Sequence, residues 1–182
     1  YEIIPSLKYA PEVTMKVLVV GGGGREHAII KKIKENKTVE QIFALPGNGG
    51  IAADATCVDI GAKDIEKIVE FAVENKIDFA VVAPDDPLVL GAVDALNAVG
   101  IKTFGPNKAA AIIEGSKAFS KDLMKKYNIP TAAYEIFDDM EKALAYIETC
   151  EIPVVVKADG LALGKGVIIA ETREDAKEAV RS

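Results

Sequence analysis

A chain of 182 residues with 49% hydrophobic and 27% charged side chains is ordinary for a soluble globular protein and long enough for one good core or two small ones. Its formal charge of −6 gives no basic field to attract nucleic acid, and no apolar run approaches the roughly 20 residues of a membrane span. Cys57 and Cys150 share no metal-type spacing and His27 is the single histidine, which leaves almost nothing for a zinc centre or a Ser-His-Asp arrangement; two reduced thiols in a cytoplasmic protein are expected instead.

Residues 1–14 lack the charged start, apolar core and small-residue cleavage site of a secretory signal, so they read as an extension of cloning or other origin, with Met15 the natural start. From there the pattern is regular. A β-branched run over 16–20 precedes Gly21, Gly22, Gly23 and Gly24, and a helix is expected over 25–35 with Ala28, Ile29 and Ile33 on one face. A strand over 41–45 ends at Pro46-Gly47-Asn48-Gly49-Gly50, and a short one at 56–58 precedes a helix over 63–75. The next buried strand, 78–82, is closed by Ala83-Pro84-Asp85-Asp86-Pro87; one helix over 88–99 stops at Gly100, and a strand follows over 101–104. Strands alternating with helices predict a Rossmann-like parallel sheet, with the loops at Gly21, Pro46 and Pro84 facing one crevice beyond the strand ends.

After Gly105-Pro106 the rhythm changes, which places a domain boundary near 105 and divides the chain into 15–105 and 106–182. Helices over 108–114 and 117–127 are followed by a strand over 133–137, a helix over 139–150, and two strands, 153–158 and 167–170, flanking a glycine-rich hairpin flap. A last helix from about Thr172 is cut off at Ser182, so the second domain reads as truncated.

The four glycines follow a strand and open a helix, where free N–H groups and the positive end of the helix dipole converge on a phosphate-sized space. The alternative is a tight turn with no ligand. A dinucleotide site fails two checks: the third glycine position is Glu26, and the second strand ends in Leu45-Pro46 rather than an acid. An NAD-dependent oxidoreductase is therefore a weaker alternative. Lys157 to Gly166 resembles a Walker loop superficially, but Lys165 precedes Gly166 instead of Ser or Thr, and a strand follows. Such a flap can cover a triphosphate, with Lys157 at the end of the apolar run Val154-Val155-Val156 supplying a point charge that an anion would have to meet. Asp85 and Asp86 are placed to hold hydroxyls or an amine, or simply to cap a helix; Arg25 and His27 are placed to position an anion, or in the case of His27 to pack.

Taken together, Met15 to Ala28, Pro46 to Asn48, Pro84 to Leu88, Phe104 to Pro106, Glu114 to Phe119 and Lys157 to Val167 resemble the phosphoribosylamine–glycine ligase family, also called glycinamide ribonucleotide synthetases, of the ATP-grasp superfamily. The resemblance runs in order from Met15 to Ser182. It implies a pre-ATP-grasp domain followed by part of an ATP-grasp domain. It also implies carbon–nitrogen ligation of glycine to 5-phosphoribosylamine in purine biosynthesis, driven by ATP with Mg²⁺ or Mn²⁺ through a glycyl phosphate. By the same likeness Gly23, Gly24, Arg25, Gly47 and Asn48 would hold the sugar phosphate and Asp85 the ribosylamine. Lys117, Lys157, Gly160, Gly164, Lys165 and Gly166 would contact ATP. The family's Gly-Pro-Glu loop reads Ala83-Pro84-Asp85 here, a shorter acid. Family members are longer, and the remainder carries the metal ligands and the glycine site, so no catalytic or metal-binding residue is expected within these 182 residues and no turnover by them alone. The remaining alternatives are another ATP-grasp ligase and a non-catalytic binding module.

Overall fold

The computed structural model describes residues 14–161 and 166–182, which form two units, the first through Ala110 and the second from Ala111 to Ser182. In the first, β1 (Met15–Gly21), β2 (Val39–Pro46), β3 (Thr56–Cys57), β4 (Phe79–Val82) and β5 (Lys102–Phe104) make one all-parallel sheet in the order β3-β2-β1-β4-β5. A central parallel strand is covered on both faces, which is why Val17, Leu18, Val19 and Val20 are all buried and the sequence of β1 reads as a continuous apolar run. One face packs Val17, Val19, Ala44 and Val81 against Ile30 and Ile51. The pleat turns Leu18 and Val20 to the other face.

Between the strands run α1 (Gly24–Lys34), a 3₁₀ turn (Ile51–Ala53), α2 (Ile65–Glu74), α3 (Asp85–Leu90) and α4 (Ala92–Ala98). Two expectations are corrected here. The single helix over 88–99 is two helices, because Gly91 sits at φ 95°, a left-handed conformation that ends α3 and starts α4. The buried stripe of α1 is Glu26 and Ile30, flanked by half-buried Ile29 and Ile33, while Ala28 faces out. Positions 26, 30 and 33 follow the i, i+4, i+7 spacing of a helix face, so Ile29 and Ile33 pack against the core as expected and Ala28 alone falls outside the stripe.

The helix α5 (Lys108–Gly115) leads into the second unit, which contains α6 (Lys117–Lys126), α7 (Met140–Ile147), β6 (Val154–Lys157), β7 (Val167–Ala170) and α8 (Arg173–Arg181). Ser116, Asp139 and Thr172 cap α6, α7 and α8 by accepting the N–H of Phe119, Lys142 and Asp175. β6 and β7 pair antiparallel, Val154 with Ala170 through Lys157 with Val167. Ile147, Ala170 and Ala176 form a small core with Val154, Val156 and Val180 against it. The strand expected over 133–137 is not formed: these residues carry no regular structure, and among the described residues the sheet of this unit is the β6–β7 pair alone.

Candidate functional site

The strand order places the C-terminal ends of β1, β2 and β4 side by side, with Gly21 opposite Pro46 and Val20 opposite Val82. The loops that leave them are bolted together. The Gly47 N–H donates to the Gly21 carbonyl at 3.2 Å, and Asn48 Nδ2 donates to the Gly22 carbonyl at 2.7 Å. Asn48 Oδ1 also accepts the N–H groups of Gly50 and Ile51 at 2.8 and 2.9 Å, which folds its own loop back on itself. Steric contact completes the join: a Cβ on Gly22 would lie 2.4 Å from the Gly47 carbonyl oxygen, and one on Gly21 would lie 2.8 Å from Pro84 Cγ. The three loops expected to share a crevice do meet at this edge of the sheet.

Most of the glycines answer to these internal contacts and not to a ligand. A Cβ on Gly23 would strike Glu26 Oε2 at 2.7 Å, whereas one on Gly24 would have no neighbour within 4 Å. Within the run Gly21 to Gly24, Gly24 is thus the glycine whose bareness the fold does not require. The Gly23 N–H is also not free, since it donates to Glu26 Oε2 at 2.6 Å. The side chain at the third helical position has already reached back to take that proton. The N–H groups of Gly24 and Arg25, in the first turn, have no intrahelical acceptor.

Arg25 leans over this opening with its side chain 57% exposed. Its Nε donates to Glu26 Oε1 at 2.9 Å, and its Nη1 lies 3.9 Å from Asp85 Oδ1. Asp85 and Asp86 form the first turn of α3, with Lys63 Nζ 3.7 Å from Asp86. Arg25 and Asp85 are therefore brought together, as candidate anion and amine or hydroxyl partners. His27 is turned the other way: its Nε2 is 2.9 Å from Asp54 Oδ2, and the ammonium groups of Lys31 and Lys34 reach the same carboxylate at 3.1 and 3.0 Å. The His27 hydrogen bond first, then those of Lys34 and Lys31, hold the Asp54 carboxyl far below the usual carboxylate range. This bracket ties α1 to the 3₁₀ turn and gives His27 the packing role.

The second unit has its own cluster. Asp159 reaches the N-terminus of α6, where its carboxylate accepts the N–H of Lys117 at 2.6 Å, that of Ala118 at 3.2 Å and the Ser116 hydroxyl at 3.0 Å. Burial pushes this carboxyl up, but the hydrogen bonds from Ala118, Ser116, Lys117 and Gly160 outweigh it and hold it below its ordinary value. Lys117 Nζ donates to the Gly160 carbonyl at 2.7 Å, so Lys117 and Gly160 are neighbours. The Ala158 N–H donates to the Gly166 carbonyl at 2.9 Å, which closes the base of the hairpin. Gly164 and Lys165 lie outside the described residues. Lys157 corrects the expectation of a buried strand end: it is exposed, and Val155 beside it is 48% exposed. Among the described residues of this unit nothing packs over the face of the β6–β7 pair that carries them, so no burial cost there demands an anion.

Two family comparisons cover residues 15–182 of the chain. Residues 15–114 match the family described as phosphoribosylglycinamide synthetase, N domain, and residues 115–182 match its ATP-grasp (A) domain. The chain belongs to the phosphoribosylglycinamide synthetase family. Among curated members of that family, the phosphoribosylamine–glycine ligase of Streptococcus pyogenes is 55% identical over 168 residues, 92% of this chain. That of Clostridium acetobutylicum is 49% identical over the same length. The chain spans 40% of the length of each of these relatives. The crystal structure of phosphoribosylamine–glycine ligase from Thermotoga maritima matches with a TM-score of 0.71 at 32% identity, over 90% of this chain and 38% of that one. N5-carboxyaminoimidazole ribonucleotide synthetase from the same organism shares the fold, with a TM-score of 0.66 at 21% identity over 91% of this chain and 43% of that one.

Three residues that the sequence reading passed over organise these clusters: Glu26, Asp54 and Asp159. Glu26 had a legible signal, an acid three positions after a helix N-cap. Asp54 and Asp159 act on partners 27 and 42 positions away, and no local pattern announces them.

Proposed function

We propose that this chain is the sugar-phosphate-binding domain and the opening part of the ATP-grasp domain of a phosphoribosylamine–glycine ligase. The observation that carries the reading is the edge of the parallel sheet where Gly24, the first-turn N–H groups of α1 and the Arg25 guanidinium converge opposite Asp85. A helix N-terminus and an arginine fork suit a phosphate, and a carboxylate across from them suits the hydroxyls or amine of the sugar. Gly47 and Asn48 support the loop from beneath, through the carbonyls of Gly21 and Gly22. In the second unit, Lys117, Gly160 and Gly166 frame the base of a hairpin suited to a nucleotide's phosphates, with Lys157 and the adjoining Gly164 and Lys165 completing the proposed ATP set. We place the boundary between the two domains within 105–115.

The reaction fits the family. Carboxylate oxygen is a poor leaving group, so the γ-phosphoryl group of ATP is first transferred to glycine, releasing ADP; the amine of 5-phosphoribosylamine then attacks the acyl phosphate and expels phosphate. A divalent ion, Mg²⁺ or Mn²⁺, would neutralise charge on the transferring phosphoryl group. Among the described residues no three His, Cys, Asp or Glu side chains converge as ligands for such an ion. The substrates are small molecules, and no helix of the described residues is long and apolar enough to cross a membrane. A cytoplasmic setting suits such chemistry.

Isothermal titration of the chain with ribose 5-phosphate, a stable stand-in for the labile amine, tests the reading. Saturable binding is expected, lost in Arg25→Ala and weakened about tenfold or more in Gly24→Ala, where a methyl group enters the space left for the ligand. The same Gly24→Ala chain should melt no lower than the original, because that methyl meets nothing in the fold and alanine favours the helix. Binding of NADH in place of the sugar phosphate would overturn the ligase assignment.

A further inference from the structure

Glu26 is a charged group where the phosphate reading does not call for one. Its side chain is 4% exposed, and it lies under the opening of a site taken to receive an anion. A carboxylate there pays desolvation and repels an arriving phosphate. Capping alone does not explain it, because a neutral glutamine at the same helical position reaches the Gly23 N–H equally well. What a carboxylate adds is a second full acceptor, and that oxygen holds Arg25 by Nε at 2.9 Å.

We propose that Glu26 is a positioning residue for the anion site, an inference that rests on the sugar-phosphate reading of that site. By fixing Arg25 at Nε, the carboxylate turns the two Nη groups outward as a preset fork and cuts the rotamer entropy that an otherwise half-exposed arginine loses on binding. It also withdraws the Gly23 N–H from the ligand and leaves those of Gly24 and Arg25. The contact from Nη1 to Asp85 is long, at 3.9 Å, between two side chains that are 57% and 47% exposed. Such a pair is weak. A phosphate oxygen can replace Asp85 on Nη1 while Glu26 keeps its hold on Nε, which frees Asp85 for a hydroxyl or amine of the same ligand.

The test uses Glu26→Gln, Arg25→Lys and the double variant, titrated with ribose 5-phosphate. By charge alone, Glu26→Gln removes a negative group and tightens anion binding. By positioning, it sets an NH₂ against the Arg25 Nε–H and weakens binding about tenfold. Arg25→Lys should cost about tenfold in the original chain and less than about twofold once Glu26 is Gln, because the fork is already lost. Tighter binding in Glu26→Gln, or losses that simply multiply in the double variant, would overturn the proposal. Should Glu26→Gln fail to fold, ¹⁵N-arginine spectra of the unaltered chain decide: Arg25, Arg173 and Arg181 are its arginines. The Arg25 Nε–H is expected to exchange slowly and to hold its position as ribose 5-phosphate is added, while its Nη signals move. An Nε–H that exchanges as fast as a solvated arginine's refutes the role given to Glu26 whatever binds. A protected Nε–H without sugar-phosphate binding refutes the ligand assignment alone.

Discussion

The two units spend their apolar residues differently. In the first, Leu18, Ile30, Leu45, Ile51, Ile68 and Leu96 are fully enclosed, and both faces of the sheet are covered by helices. In the second, the buried residues of its core are Ile147 and the small side chains of Ala170 and Ala176, while Tyr127, Met140, Val155 and Ile169 lie open, Ile169 at 69%. A unit whose larger apolar groups stay in water gains little of the burial that offsets chain entropy. A β-branched run therefore guarantees a strand but not a core. Val154 to Val156 and Val17 to Val19 read alike in sequence, yet Val17 and Val19 are buried while Val155 is exposed.

The largest effect expected from this contrast is at the matched strand positions. Leu18→Ala should destabilise the first unit by about 3 kcal/mol in urea unfolding, as a cavity in a fully packed site does, whereas Ile169→Ala should change the second by less than about 0.5 kcal/mol. Equal losses would mean that the open face is covered in solution. Native-state hydrogen exchange gives the next difference. Amides of β1 and β4 are expected to be protected about a hundredfold more than those of β6 and β7, and similar protection would erase the contrast.

Asp159→Ala sharpens the comparison within the weaker unit. It removes the carboxylate that accepts two N–H groups at the start of α6 and should cost about 1 kcal/mol, seen as faster exchange in α6 with β1 unchanged. The smallest effect belongs to Asp54. Its folded carboxyl is held below the unfolded value, so its contribution is fully present above about pH 4 and is lost as pH falls through the folded value. The melting-temperature gap between the original chain and Asp54→Asn should accordingly be widest near neutrality and narrow on acidification below pH 4. A gap that grows with acid would reverse the sign of that argument.

Element type was largely legible because many elements obey local rules: β1 carries the apolar run Val17 to Val20, Asp64 caps α2 by accepting the Lys67 N–H, and Thr172 caps α8. The failures have a common origin in partners that sequence spacing does not reveal. Residues 133–137 carry strand-favouring side chains but pair with neither β6 nor β7, and the burial of Lys157 was inferred from its neighbours instead of from what faces it. Of the site, the three loops were placed correctly because turn residues at strand ends are a topological signal. The assignment of the glycines was harder. Their number suggested ligand contact, yet Gly21, Gly22 and Gly23 are small because Glu26, Pro84 and Gly47 already occupy the space.

That interlock bears on how the loop can change over generations. A Cβ at Gly22 meets the Gly47 carbonyl, and a Cβ at Gly47, itself at φ 72°, meets Cys57 Sγ at 2.4 Å. No single replacement along this row is harmless, and each compensating change lies in another loop. Drift at these positions therefore has to cross a fitness valley, needing two or more simultaneous substitutions. Gly24, which touches nothing, can change in one step, and among these glycines only the ligand would stand against it.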